Sequence, residues 1–337
     1  MFDFIGYYDN IINMIEIKNL TKKFGANIAL DNITLSVKKG EVLGFLGPNG
    51  AGKTTTMKII TSFWPPTSGK VEIDGLDVGQ NSLEVRRKIG YLPETVPLYD
   101  DMRVYEYLKF VAEIRGLPKD VIRRAPTNGA HTNALDMKTR IKEVVQICGL
   151  SKAIRQPIEE LSKGFRQRVG LAQAIMHNPD ILILDEPTTG LDPNQIAEIR
   201  NLIKELGKEK TVIFSTHILA EVSATCDRII IIHNGKIAGE GTPEELATKA
   251  SSREIIYVKI KGPKDEILNK LRDMENVVKA EIKDKELDDV YGYEIESKLG
   301  VDLREYLSMT VMRAGWSILE FSKKSVSLED VFRELTR

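Results

Sequence analysis

Cysteine is nearly absent: Cys148 and Cys226 are the only two in 337 residues. They stand too far apart for metal-ligand spacing and form no disulfide framework, so they read as two structural thiols in a reducing compartment. Long hydrophobic runs are missing too. The apolar stretches 181–184 and 229–232 fall far short of the roughly 20 residues that cross a bilayer, and they read as buried strands. Residues 1–13 contain no Lys or Arg, which argues against a secretory signal. The net charge of −1 offers no overall pull toward nucleic acid or an anionic membrane. What the chain does have is 42% hydrophobic residues, ample for sizeable cores, and a length that suggests two domains or one large domain with an appendage.

Hydrophobic patterning orders the rest. Residues 15–18, 29–37 and 71–74 read as short strands of an antiparallel piece. Met14 opens the first of them with Ile15 and Ile17, so residues 1–13 are expected to be a loose N-terminal extension, or Met14 the natural start. Strands at 42–46, 181–184 and 211–215 alternate with helices from Lys53 to about Thr61 and over 195–207. That alternation predicts an α/β fold with a parallel sheet. Asn234-Gly235 signals a two-residue hairpin. Thr242-Pro243-Glu244-Glu245 is a capping box, read as the start of the last helix of a first domain over 14–250. Between about 95 and 178 the pattern is helical, with helices at 104–115 and 138–148 and a polar surface loop over 125–136. From 251 to 337 the order β-α-β-β-α-β plus a helix suggests a small, ferredoxin-like α+β domain.

Three segments carry chemistry. Gly47, Pro48, Asn49, Gly50, Ala51, Gly52, Lys53 and Thr54 fit G-x-x-x-x-G-K-S/T in full, between a strand and a helix. Backbone N–H groups there can cradle a β-phosphate, Lys53 can reach the β- and γ-phosphates, and the Thr54 hydroxyl can ligate Mg²⁺; Thr55 follows directly. The strand 181–184 delivers two acids, Asp185 and Glu186, to the ligand crevice of an open sheet. Asp185 is placed to hold Mg²⁺, and Glu186 to orient or deprotonate an attacking water. His217, after the strand 211–215, is placed to bond the γ-phosphate or that water. The third segment is 161–175. Ser162 caps a helix starting near Lys163, Gly164 leaves its first turn open, and Phe165, Val169, Ala172 and Met176 form one apolar face. A helix N-terminus with free N–H donors favours phosphate.

Together these segments resemble the ATP-binding subunits of ABC transporters, over about residues 15–246. The stretch from Leu161 through Ser162 and Gly164 to Gln167 resembles the family's signature segment, residues 189–192 with Asp192 its D-loop, and His217 its switch histidine. Phe24 is similar to the aromatic that stacks on adenine. The resemblance implies ATP and Mg²⁺ as cofactors. It also implies a homodimer of two cassettes in which Ser162 and Gly164 of one subunit meet the γ-phosphate held by the other. Where the family usually has Gln, this chain has Glu94, which keeps an oxygen for Mg²⁺ or water but adds negative charge. The same change occurs in an exporter-like branch that includes gliding-motility ATPases. A second departure is the polar stretch 125–136.

The expected function is therefore an ATPase that drives a separate transmembrane permease, with no nucleic-acid partner, cytoplasmic and peripheral on the inner face of the cell membrane, with export the expected direction. The permease would dock on the helical region around 97–116, where Leu98, Tyr99, Tyr105 and Tyr107 are candidates; the competing reading is that most of them only fill the local core. The alternative is a soluble ABC ATPase of translation or DNA repair. It is disfavoured by the single cassette and by the lack of a coiled-coil insertion or zinc motif. A binding-only regulator is disfavoured because Lys53, Asp185, Glu186 and His217 are all present.

Overall fold

The structure is a computed structural model and describes residues 13–119, 136–250, 253–287, 289–298, 301–324 and 328–336. Of the expected extension over 1–13, residues 1–12 lie outside these residues and Asn13 begins a strand; of the polar stretch over 125–136, residues 125–135 lie outside them. Two compact units divide between Glu240 and Gly241. This boundary comes earlier than the expected 250, because the helix Pro243–Ala250 packs with the helix Leu328–Leu335 of the second unit. The expected capping box does form: Thr242 Oγ1 accepts from the Glu245 N–H, and Glu245 Oε2 from the Thr242 N–H.

The first unit holds two sheets. One is antiparallel, in the order Asn27–Lys38, Asn13–Phe24, Ser68–Ile73, Leu76–Asp77. Its two long strands exceed the short ones expected from patterning. Irregular register at Ile17–Leu20, with Asn19 at φ 51° and Asn32 at φ 54°, lets the pairing continue through positions where apolar alternation breaks.

The other sheet is six-stranded and runs Lys236–Gly241, Arg228–His233, Val42–Leu46, Thr211–Thr216, Ile181–Asp185, Ile89–Leu92. The strands from Arg228–His233 through Ile89–Leu92 pair in parallel. Val42–Leu46 and Ile181–Asp185 are buried at every position, as strands covered on both faces must be. Asn234 and Gly235 both have positive φ, 48° and 75°, which is the hairpin geometry their sequence requires. All parallel strands end at the same edge, so the loops after Leu46, Asp185 and Thr216 converge there.

The helices Val104–Ile114, Met137–Ile147 and Lys163–Ile175 pack on one another. Asp136, expected to close a loop, is instead the N-cap of the second, accepting from the Thr139 N–H at 2.8 Å. Lys163–Ile175 is buried on more than its expected face. Val169, Ala172 and Met176 are buried, but so are Leu171, Ala174 and Ile175, while Phe165 is half-buried.

The second unit has the sheet order Val277–Leu287, Val290–Lys298, Arg253–Lys261, Ser317–Lys324, all antiparallel. Helices Lys264–Arg272 and Arg304–Arg313 make the crossovers, giving the split βαβ arrangement. Its core gathers Val258, Tyr293, Ile295, Ile267, Leu271 and Leu307.

Candidate active site

The loop after Leu46 curls because three glycines tolerate what other residues would not. Gly52 has φ 114°, and a Cβ there would stand 2.8 Å from the Ala29 carbonyl oxygen; at Gly47 it would stand 2.4 Å from that of Ile232. The loop is tied to the hairpin turn by a Gly235 N–H to Ala51 C=O bond of 3.0 Å. The helix Lys53–Ile60 starts with no side-chain cap. Its first N–H groups therefore face the loop's hollow, an anion-binding arrangement.

That hollow is a cavity of about 620 Å³ lined by Phe24, Asn49, Gly50, Gly52, Lys53, Thr54, Thr55, Glu94 and Glu186. Asn27, Ile28, Ala29, Asn234 and Gly235 also line it. Sequence reasoning missed these turn residues, since the two hairpins lie far from the glycine loop in the chain. Phe24 is 43% exposed, meets Trp64 edge-on at 5.1 Å and carries the Lys22 ammonium over its ring at 5.0 Å.

Lys53 is buried. Its Nζ donates to the carbonyls of Gly47 (2.7 Å) and Pro48 (3.1 Å) and pairs with Glu186 Oε1 at 3.1 Å. Glu186 Oε2 accepts from Thr189 Oγ1 at 3.0 Å and lies 2.9 Å from His217 Nδ1. Burial opposes ionisation of Glu186, but Lys53 and His217 outweigh it and hold the carboxyl below the usual carboxylate range. Glu186 also has φ 50°, uncommon for a residue with a side chain. It turns the chain sharply where the buried strand ends and aims the carboxylate at the loop.

Asp185 is fully buried. Its Oδ1 accepts from Ser215 Oγ (2.6 Å) and Thr54 Oγ1 (3.2 Å), whereas Oδ2 has no partner among the described residues. Burial raises its pKa despite those two bonds, and the charges of Glu94 and Glu186 add to the rise. Ser215 also accepts from the Glu186 N–H at 2.9 Å. It thus holds both acids, a role that depends on its strand lying beside theirs.

The third segment does not join this cavity. Ser162 caps the helix Lys163–Ile175 through a long, 3.4 Å bond from the Phe165 N–H, and is exposed. Gly164, expected to leave the first turn open, is buried, and a Cβ on it would stand 2.5 Å from Gln195 Oε1. Asp192 caps the helix Pro193–Gly207 by accepting from the Gln195 N–H at 2.9 Å. Gln167 is 6% exposed. Ser162, Gly164, Gln167 and Asp192 therefore lie apart from the lining of their own chain's phosphate loop.

A second, larger groove of about 1080 Å³ runs beside the helical region, lined by Leu83, Tyr91, Leu98, Tyr99, Phe110 and Ile114 among others. Tyr99 is 53% exposed, whereas Tyr107, also a candidate for docking, is buried and bonds Gln173 Oε1 at 2.5 Å. Among the described residues, no helix is long and apolar enough to cross a membrane.

Residues 30–189 match the family described as ABC transporter. The chain is 33% identical over 289 residues to the linearmycin resistance ATP-binding protein LnrL of Bacillus subtilis, covering 86% of this chain and 85% of that one. It is 39% identical over 229 residues to the bacitracin transport ATP-binding protein BcrA of Bacillus licheniformis, covering 67% and 69%. Among solved structures it resembles the ABC transporter cassette MJ0796, seen as a dimer and in a post-hydrolysis state with ADP and Pi. That likeness has 29% identity and a TM-score of 0.58 over 68% of this chain and 98% of that one. With a glycine loop, a paired-acid strand and this degree of likeness along most of its length, the chain belongs to the ATP-binding, ATP-hydrolysing subunits of ABC transporters.

Proposed function

We propose that the cavity at the glycine loop holds ATP with Mg²⁺, and that two copies of this chain close over two such sites. The observation that supports this most is the ring of contacts around Glu186. Lys53, His217 and Thr189 all converge on one ionised, buried carboxylate at the mouth of a loop built for phosphate. Phe24 stacks on the adenine, and the N–H groups from Asn49 to Lys53 bind the β-phosphate. Lys53 moves from Glu186 to the β- and γ-phosphates. Relieved of that cation, Glu186 becomes more basic and takes up the attacking water, with His217 steadying its Oε2. Water oxygen bonds to the γ-phosphorus, the bond to the β,γ-bridging oxygen breaks, ADP leaves with the electron pair, and Glu186 accepts the water's proton.

The residues fit a magnesium ion. Asp185 Oδ2 is buried without a partner, and the Thr54 hydroxyl is 3.2 Å from its other oxygen. Glu94 offers a further oxygen from the cavity wall. No group of three or more His, Cys, Asp or Glu that could hold a metal exists among the described residues. Such a sparse, all-oxygen set suits a cation that keeps waters and shares phosphate oxygens. When bound it would neutralise charge on the β- and γ-phosphates.

Ser162, Gly164, Gln167 and Asp192 act on the partner copy's nucleotide, which accounts for their absence from the lining of their own loop's cavity. The cassette, helical over about 95–178, docks a separate permease at the groove beside Tyr99 and Phe110. The C-terminal unit is a distinct module. Glu94 and the likeness to antibiotic-resistance and transport subunits favour export, with the chain on the cytoplasmic face of the membrane. The direct test is hydrolysis by Glu186→Gln: turnover is expected to fall roughly 10²–10⁴-fold with ATP binding retained. Unchanged turnover removes Glu186 from the mechanism.

A further inference from the structure

Tyr91, on the strand Ile89–Leu92, is used by none of the nucleotide motifs. It is in register with Ile183 of the neighbouring parallel strand. Asp185 lies two residues beyond Ile183, so Tyr91 and Asp185 share one face of the sheet at its carboxyl end. Tyr91 packs against the core that contains Ile183, and its ring also forms part of the wall of the apolar groove. Its hydroxyl is buried with no hydrogen-bond partner, and so is Asp185 Oδ2. One atom is a donor and the other an acceptor. Burial raises the Tyr91 phenol far above its ordinary pKa, and the charges of Asp185 and then Glu94 push the same way. A phenol carries its proton at neutral pH in any case and is available to donate. Buried polar atoms left unmade are costly, and a polar gap between two of them is where an ordered water belongs.

We infer that Tyr91 is a positioning residue for Asp185, its hydroxyl donating through one bridging water to the Oδ2 that lacks a partner. Oδ1 is already fixed by Ser215 and Thr54. Each carboxylate oxygen has two lone pairs, so the bridging water takes one on Oδ2 and leaves the other open to the metal, and the added bond sets the plane of the carboxylate. Outer hydrogen bonds of this kind orient metal-ligating carboxylates in general. The inference rests on the reading of Asp185 as the metal-facing acid.

The test is Mn²⁺ binding, followed by electron paramagnetic resonance, to the chain carrying the non-hydrolysable analogue AMP-PNP. Wild type, Tyr91→Phe and Asp185→Ala are compared, beside metal-free AMP-PNP binding and melting in EDTA. Tyr91→Phe keeps the ring and removes only the hydroxyl. It is expected to leave metal-free nucleotide affinity and melting unchanged while weakening Mn²⁺ binding about tenfold. Unchanged Mn²⁺ affinity in Tyr91→Phe, with Asp185→Ala impaired, overturns the inference and leaves the metal reading standing. An equal loss of metal-free nucleotide binding or of thermal stability marks a general structural role and also overturns it. Mn²⁺ binding indifferent to Asp185→Ala removes the metal reading itself.

Discussion

Asp185 and Glu186 are adjacent acids with opposite titration behaviour. Asp185 is raised by burial, while Glu186 is lowered because Lys53 and His217 outweigh its burial. For an acid with a raised folded pKa, the folded state prefers the protonated form, so stability is lost as pH rises from the unfolded value to the folded one, and the full cost of ionised Asp185 is present above it. Asp185→Asn is therefore expected to raise the melting temperature of the metal-free protein at neutral pH, while abolishing magnesium-dependent hydrolysis. A lowered melting temperature in a thermal scan would contradict this. Glu186 works the other way. Its depressed pKa gives stability that is present above the unfolded value and lost as pH falls through the folded one. Lys53→Ala should leave Glu186 buried without its cation and weaken ATP binding about 10- to 100-fold, the range of one charged hydrogen bond. Isothermal titration would show it, and normal affinity would exclude Lys53 from phosphate contact. The placement of Lys53 on the glycine loop and of Glu186 after a buried strand was legible in sequence from motif spacing. The support from Ser215 and Tyr91 was not, because it depends on which strands lie side by side.

Among the elements, the helix Lys163–Ile175 shows where local pattern stops being informative. Its start was legible from Ser162, since a hydroxyl residue before a helical run caps it. Its other end was not. There Arg140, 6% exposed, donates from Nε to the Met176 carbonyl at 3.0 Å and from Nη2 to that of Ile175 at 2.5 Å. A buried arginine on a different helix closes these last carbonyls, a contact that no pattern within residues 161–175 encodes. Arg140→Ala should cost about 2–4 kcal/mol in a urea melt, from two charged hydrogen bonds lost and their acceptors left buried. A change below about 0.5 kcal/mol, the size of an ordinary surface substitution, would show that the carbonyls find other partners. The breadth of burial on this helix was also hidden. An apolar stripe predicts one covered face, yet neighbours on several sides cover Leu171, Ala174 and Ile175 as well.

At the scale of the whole molecule, the two units differ in what the sequence could tell. The parallel sheet followed from strand–helix alternation and from runs such as Ile181–Asp185 that are apolar until their last residue. In the second unit the charged positions Lys259, Glu320, Lys283 and Glu294 pair across the sheet, so that face is solvated and alternation alone marks the core side. The order of its strands follows from the two helical crossovers, as the β-α-β-β-α-β succession suggested. The cassette leaves Ser162 and Gly164 away from the phosphate loop of their own chain, and the account turns on a second copy bringing them to it. Sedimentation of Glu186→Gln at increasing ATP tests this most directly, because blocking hydrolysis should trap the closed pair. A dimer retaining two ATP per two chains, and monomer without nucleotide, is the predicted result. A chain that stays monomeric at saturating ATP would contradict the account.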